Sequence, residues 1–219
     1  QFRVKNFRSI KDEICLDFIP NGADDITQFP GYFTLNQKER VSKAICVVGN
    51  NASGKTNVLK ALEALAVTVL KTTNIVETQK LDWIVPFLFD RETKSSPSSF
   101  ELLFLLDGIR YRYGISLTED EIYEESLSFA PNGRTVFLFR RIKDKEIWFH
   151  PHLVTMDDVK LISKRNLRNK PIVTFAMQFD IPFLKDVYRF FAEKLVFLSS
   201  FGYANEQGIG KLLESNPQY

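Results

Sequence analysis

Gly49, Gly54, Lys55 and Thr56 are the residues of this 219-residue chain whose types and spacing point most directly to chemistry. A glycine, the four residues Asn50, Asn51, Ala52 and Ser53, and then Gly-Lys-Thr satisfy the phosphate-loop pattern G-x-x-x-x-G-K-[ST] without a mismatch. A glycine-bearing loop lets successive backbone N–H groups curl around phosphate oxygens, and the positive end of a following helix adds to the attraction. In that arrangement Lys55, the one catalytic residue expected, sits against the terminal phosphates. The Thr56 hydroxyl supplies a ligand to Mg²⁺, and Asn50 to Asn57 wrap the phosphates. The chemistry implied is the binding of ATP or GTP.

A loop of this kind works only between a strand and a helix. Ala44 to Val48 is a short apolar run that predicts the strand, and Lys55 to Leu70 reads as the helix. Upstream, Phe2–Phe7 and Ile14–Phe18 alternate in polarity around a short polar turn and predict a hairpin. Pro20, Asn21-Gly22, Asp24-Asp25 and Pro30-Gly31 predict one long loop over 20–40. Downstream, Ser95-Ser96-Pro97-Ser98-Ser99 predicts a flexible connector, after which the period changes. Phe100–Leu106, Ile109–Leu117, Ile122–Phe129, Thr135–Arg141 and Lys145–Phe149 predict five strands, with Asp107-Gly108 as a two-residue hairpin turn. This is an antiparallel meander and not a βαβ unit. Met156 to Asn166, acidic at its start and basic at its end, and Ile181 to Leu198, with helical apolar spacing, predict two helices.

Composition narrows the class. Hydrophobic residues make up 44% of the chain and charged residues 26%, with a formal net charge of +2, so a soluble globular protein is expected and no polyelectrolyte partner is implied by charge. No run of 18 apolar residues and no secretory leader pattern is present, which predicts a cytoplasmic protein with no membrane partner. Cys15 and Cys46 lie in apolar, strand-like runs and are expected to be buried reduced thiols. His150 and His152 flank Pro151 in an expected surface turn. Lys160, Lys164, Arg165, Arg168 and Lys170 form a basic cluster that reads as a solvated helix end, with a phosphate-backbone contact as the alternative.

The opening VKNFRSIKDEICLDF followed by GNNASGKTNVLKAL resembles the N-terminal half of ABC-type ATPase heads, those of SMC-like and RecF-like repair proteins and of OLD-like bacterial defence ATPases. PFLFD and then PSSFELLFLLDGIRYRYGISLTEDEIYEESL resemble the β-subdomain of stand-alone abortive-infection ATPases, with relatives in the Septu and PARIS systems and beside some retrons. The resemblance covers most of residues 1–200. It implies an α/β P-loop NTPase of ABC type with an antiparallel β-subdomain, ATP and Mg²⁺ as cofactors, and further site residues. Arg8, in the FRS phrase, would approach the nucleotide phosphates. Gln178 is the residue placed to act as a Q-loop glutamine on Mg²⁺.

Such heads also need an LSGG-type signature, a Walker B strand ending in Asp-Glu, a D-loop and a switch histidine, and none is found here; Leu102 to Asp107 leads into Gly108 and reads as a strand end. The expectation is an incomplete head. Residues 1–150 form its N-terminal lobe, with the phosphate loop at 49–56 and the β-subdomain at about 100–149. Residues 151–219 form a helical segment leading toward an inserted arm or the second half. The implied function is an ATP-binding ATPase subunit of an antiphage defence complex that senses infection and controls a nuclease or toxin effector through ATP-dependent dimerisation. Its partners would be a second copy and the effector, with DNA or a phage component left open. The alternatives are a DNA-repair or DNA-structural ATPase of RecF or SMC type, and a nucleotide-dependent scaffold that assembles an effector without turnover.

Overall fold

The computed structural model describes residues 1–20, 32–34 and 40–197. Seven strands form one sheet in the order β2-β1-β5-β6-β7-β8-β9, each paired antiparallel with its neighbour. They are β1 (Phe2–Lys5), β2 (Ile14–Leu16), β5 (Ser98–Leu106), β6 (Ile109–Leu117), β7 (Ile122–Ala130), β8 (Val136–Ile142) and β9 (Trp148–Phe149). β3 (Tyr32–Thr34) and β4 (Arg40–Ser42) make a separate two-stranded ribbon inside the stretch expected to be one long loop.

Strict alternation builds the sheet. Ser98, Phe100, Leu102, Phe104 and Leu106 of β5 point into the core, as do Tyr111, Tyr113, Ile115 and Leu117 of β6. The turn between them is Asp107-Gly108, with φ of 50° and 78°, so both central residues take the left-handed conformation that suits a tight hairpin to the strand twist. A bulge between Leu127 and Ser128 shifts the β7–β8 register and buries the consecutive residues Leu138 and Phe139 on one side. β1 joins the meander by pairing with β5, Phe2 opposite Leu102 and Val4 opposite Phe100.

The core-facing side of the sheet is covered by α1 (Lys55–Lys71) and by the helical segment after the meander. α1 buries Ala61, Ala64, Leu65, Thr68 and Val69, a stripe at three- and four-residue spacing. The stretch expected to be a flexible connector, Ser95 to Ser99, is largely ordered: Ser95 ends α2 (Arg91–Ser95) and the buried Ser98 opens β5; Asp90 caps α2 by accepting from the Glu92 amide. After α3 (Met156–Arg165) come a 3₁₀ turn at Ile172–Thr174, α4 (Phe175–Phe179) and α5 (Pro182–Arg189). A π-helical turn at Phe190–Lys194 is the last described element, and through it both Phe190 and Phe191 meet Phe104, at ring-centroid distances of 4.0 and 6.4 Å.

A buried polar network fastens this helical segment to the meander. The Glu125 carboxylate accepts from the amides of Ile172 and Val173 and from the Tyr113 hydroxyl at 3.0 Å. Arg141, 3.9 Å from Glu125, donates to the carbonyls of Leu167, Arg168 and Lys170. On the other side of the same loop, Asn169 donates to Val76 O and Gln79 O, and Lys170 Nζ to Thr73 O just beyond α1.

Candidate nucleotide site

α1 begins where the phosphate-loop pattern ends. Its N-cap is Gly54, with φ of 93°, a conformation that favours glycine. Gly54 has no side chain with which to cap the helix, and there is no acidic residue in the first turn, so neither occupies the amides at the head of α1. Gly49 permits the close packing of the loop: a Cβ there would stand 2.9 Å from Ser53 Oγ. Ala52 also has positive φ, 63°, and Ser53 N donates to Asn50 O, so the backbone from Asn50 to Gly54 turns tightly on itself. Lys55 Nζ reaches back over this turn and donates to Gly49 O at 2.8 Å and to Asn50 O at 2.7 Å. Asn51 and Thr56 are exposed. The result is a tight, exposed loop at the head of α1 with one ammonium group folded over it, residue types suited to polyphosphate oxygens.

The N-terminal turn completes one wall. Phe7 and Ile10 exchange two backbone hydrogen bonds of 2.8 Å, which tightens the turn carrying Arg8 and Ser9. Ser9 Oγ accepts from Asn57 Nδ2 at 2.7 Å and lies 3.1 Å from where a Cβ on Gly54 would be. The turn therefore sits directly on the first turn of α1. Arg8 N donates to Val85 O, its guanidinium lies 5.5 Å from the Phe7 ring centroid, and its Nε is buried without a hydrogen-bond partner among the described residues. An orphaned guanidinium nitrogen next to a phosphate loop fits an anion that would complete it. Asn6 anchors the turn from behind. Its amide donates to the carbonyls of Thr93, Ser96 and Pro97, and its carbonyl accepts from Phe87 N. Sequence reading singled out Arg8 and passed over Asn6 and Ser9, although a polar Arg8-Ser9 pair between apolar Phe7 and Ile10 marks them as turn residues.

The turn that carries Arg8 thus meets the 49–57 segment through Ser9, and Gln178 lies elsewhere. Its side-chain amide donates to Thr73 O at 2.6 Å, and its Oε1 accepts from Lys170 Nζ at 2.5 Å. Thr73 lies past the C-terminal end of α1, about 25 Å along the helix from Thr56 at the ordinary rise per residue. Gln178 therefore cannot share a metal with Thr56 in this arrangement. It belongs to the clasp that closes the far end of α1.

Three further expectations are corrected. Ala44 to Val48 forms no strand: the run is exposed, and no described strand pairs with it. Cys46, in that run, is consequently exposed, and Cys15 is exposed on the edge strand β2. The basic cluster is not one patch. Lys170 is buried, with burial first and Arg165 second holding its ammonium below the ordinary lysine value, and Arg165 lies over the Phe179 ring. His150 and His152 occupy the surface turn after β9, where His150 Nδ1 accepts from His152 N. Among the described residues no group of three metal-ligating side chains converges, and no helix is long and apolar enough to cross a membrane.

A phosphate loop on the leading end of a helix that packs on a β-sheet defines the class: an α/β P-loop NTPase. A family model described as "AAA domain, putative AbiEii toxin, Type IV TA system" matches residues 44–193, from just before the loop to the π-helical turn. The match spans more than half of the chain, and the chain belongs to this AAA-domain family of abortive-infection type. No curated protein matches it.

Proposed function

We propose that this chain is the nucleotide-binding half of an ABC-type ATPase head, and that the intact protein is the ATPase of an antiphage defence complex. The observation that carries the reading is the head of α1. Its side-chain-free cap, the tight 49–54 loop and Lys55 leave a polyphosphate site open, and the orphaned Arg8 Nε stands on the neighbouring turn. Lys55 and the loop amides would hold the phosphates, Arg8 would add a second cationic contact, and Thr56 is the hydroxyl available to Mg²⁺. Bound Mg²⁺ would supply charge neutralisation for phosphoryl transfer.

Two features favour a composite head over a self-sufficient NTPase. The 44–48 run brings Ile45, Val47 and Val48 to the surface with no described strand paired to it, as a central strand does when its neighbours belong to another segment or another chain. The described strands also form only antiparallel pairs, and the parallel core expected around a P-loop strand is not among them. The abortive-infection, Type IV toxin–antitoxin family supports defence as the setting; a nuclease or toxin effector is part of the proposal. The repair-type alternative gains nothing from the basic cluster, whose Lys170 is buried.

The test is nucleotide-dependent self-association of the intact protein in analytical ultracentrifugation. A non-hydrolysable ATP analogue with Mg²⁺ should convert protomers to dimers, and Lys55→Ala should stay unassociated. Association that ignores nucleotide and survives Lys55→Ala would sink the ATP-gated reading.

A further inference from the structure

Ser9 is exposed and its hydroxyl has one feature that an ordinary surface serine lacks: it bridges two elements distant in sequence. Asn57, in the first turn of α1, donates to it at 2.7 Å, and Gly54 leaves only 3.1 Å between Ser9 Oγ and the place of an added Cβ. The turn that carries it is already fixed on its other sides. Phe7 and Ile10 close it, Val85 O holds the Arg8 amide, and the buried Asn6 ties it to the 87–97 loop through four hydrogen bonds. Asn6 and Arg8 both have left-handed φ, 55° and 50°, without being glycine. Residues hold such conformations only where surrounding contacts over-determine them, and these contacts do so here.

We propose that Ser9 is a positioning residue of the nucleotide site. Through Asn57 it locks the Arg8 turn to the head of α1, so that the Arg8 guanidinium is set for a phosphate before nucleotide arrives. The inference rests on the nucleotide-binding reading above and deepens it. Ser9 acts through Arg8: its hydroxyl fixes the distance between the turn and the loop, and the guanidinium supplies the charge. Preorganisation of this kind raises affinity by removing the ordering that binding would otherwise require.

Calorimetric titration of the intact protein with MgATP tests it, using wild type, Ser9→Ala, Ser9→Thr, Arg8→Ala, the Ser9→Ala/Arg8→Ala double variant, and Lys55→Ala as reference. Ser9→Ala should weaken binding about five-fold, the worth of one ordinary hydrogen bond. Ser9→Thr, which keeps the hydroxyl, should restore it. In the Arg8→Ala background the Ser9→Ala loss should vanish, because the group being positioned is gone. A merely structural serine would weaken both backgrounds alike. Wild-type affinity in Ser9→Ala, or an undiminished loss in the Arg8→Ala background, overturns the proposal. If Lys55→Ala abolishes binding while Ser9→Ala changes nothing, Ser9 alone falls. If wild type binds no MgATP, the nucleotide reading falls and takes this inference with it.

Discussion

Glu125 is a carboxyl group with almost no access to solvent, and it joins the meander to the segment that follows it. Burial pushes its pKa above the ordinary 4.5, while Arg141, the Ile172 amide and Tyr113 pull it back; burial wins. Between the ordinary value and the raised one, the unfolded chain releases this proton and the folded chain keeps it. The folded state then binds more protons, so stability falls as pH rises through that window and is greatest below it. Glu125→Gln removes the titration. The urea stability of wild type minus that of the variant should decline as pH rises above the ordinary glutamate value of 4.5; a flat or rising difference would refute the assignment. Residues of this kind are not legible in sequence. Glu125 sits at an inward position of β7 where an apolar residue would be expected, and its partners are tens of positions away. Gly54, Lys55 and Thr56 are legible because their chemistry is local: the spacing alone sets a loop on a helix head. Ser9 falls between the two. Its turn is readable, but its contact with Asn57, 48 residues away, is not.

At the scale of elements, α1 is held at both ends by different means. Its head is held by the Ser9–Asn57 bridge, and its tail by a clasp in which Lys170 and Gln178 both donate to Thr73 O while Asn169 donates to Val76 O and Gln79 O. Asn169→Ala leaves those carbonyls without their donor and should lower unfolding stability by about 1–2 kcal/mol, with nucleotide affinity unchanged because the clasp lies at the far end of the helix. Urea denaturation and a parallel nucleotide titration check both halves of that statement; a loss of affinity without a loss of stability would contradict it. The strands of the meander follow from alternation and from the Asp107-Gly108 turn, so their placement was readable to within a few residues. α1 was readable from its periodicity. The 44–48 run was misread because alternation and β-propensity report what a segment can do, and a strand also needs a neighbour with free donors and acceptors. The same limit applies to Gln178. Its residue type suggests a metal-facing role, and only the packing of α4 on Thr73 assigns it to the helix end.

The whole molecule combines an antiparallel sheet, one long helix leading out of a phosphate loop, and a helical segment fastened to both by buried polar groups. Among the described residues, exposed apolar stretches lie at Leu88-Phe89 and at Ile45, Val47 and Val48. The second of these runs directly into the phosphate loop, which is why a composite head accounts for it better than a free surface does. The central claim is therefore nucleotide binding at the head of α1, and titration of MgATP into the intact protein tests it most directly. Wild type should bind with saturable heat. Lys55→Ala should lose at least about ten-fold in affinity while unfolding at the same urea concentration, since the Lys55 ammonium contacts only the exposed loop carbonyls of Gly49 and Asn50. Binding that is equally strong in Lys55→Ala, or no binding by a correctly folded wild type, would contradict the account.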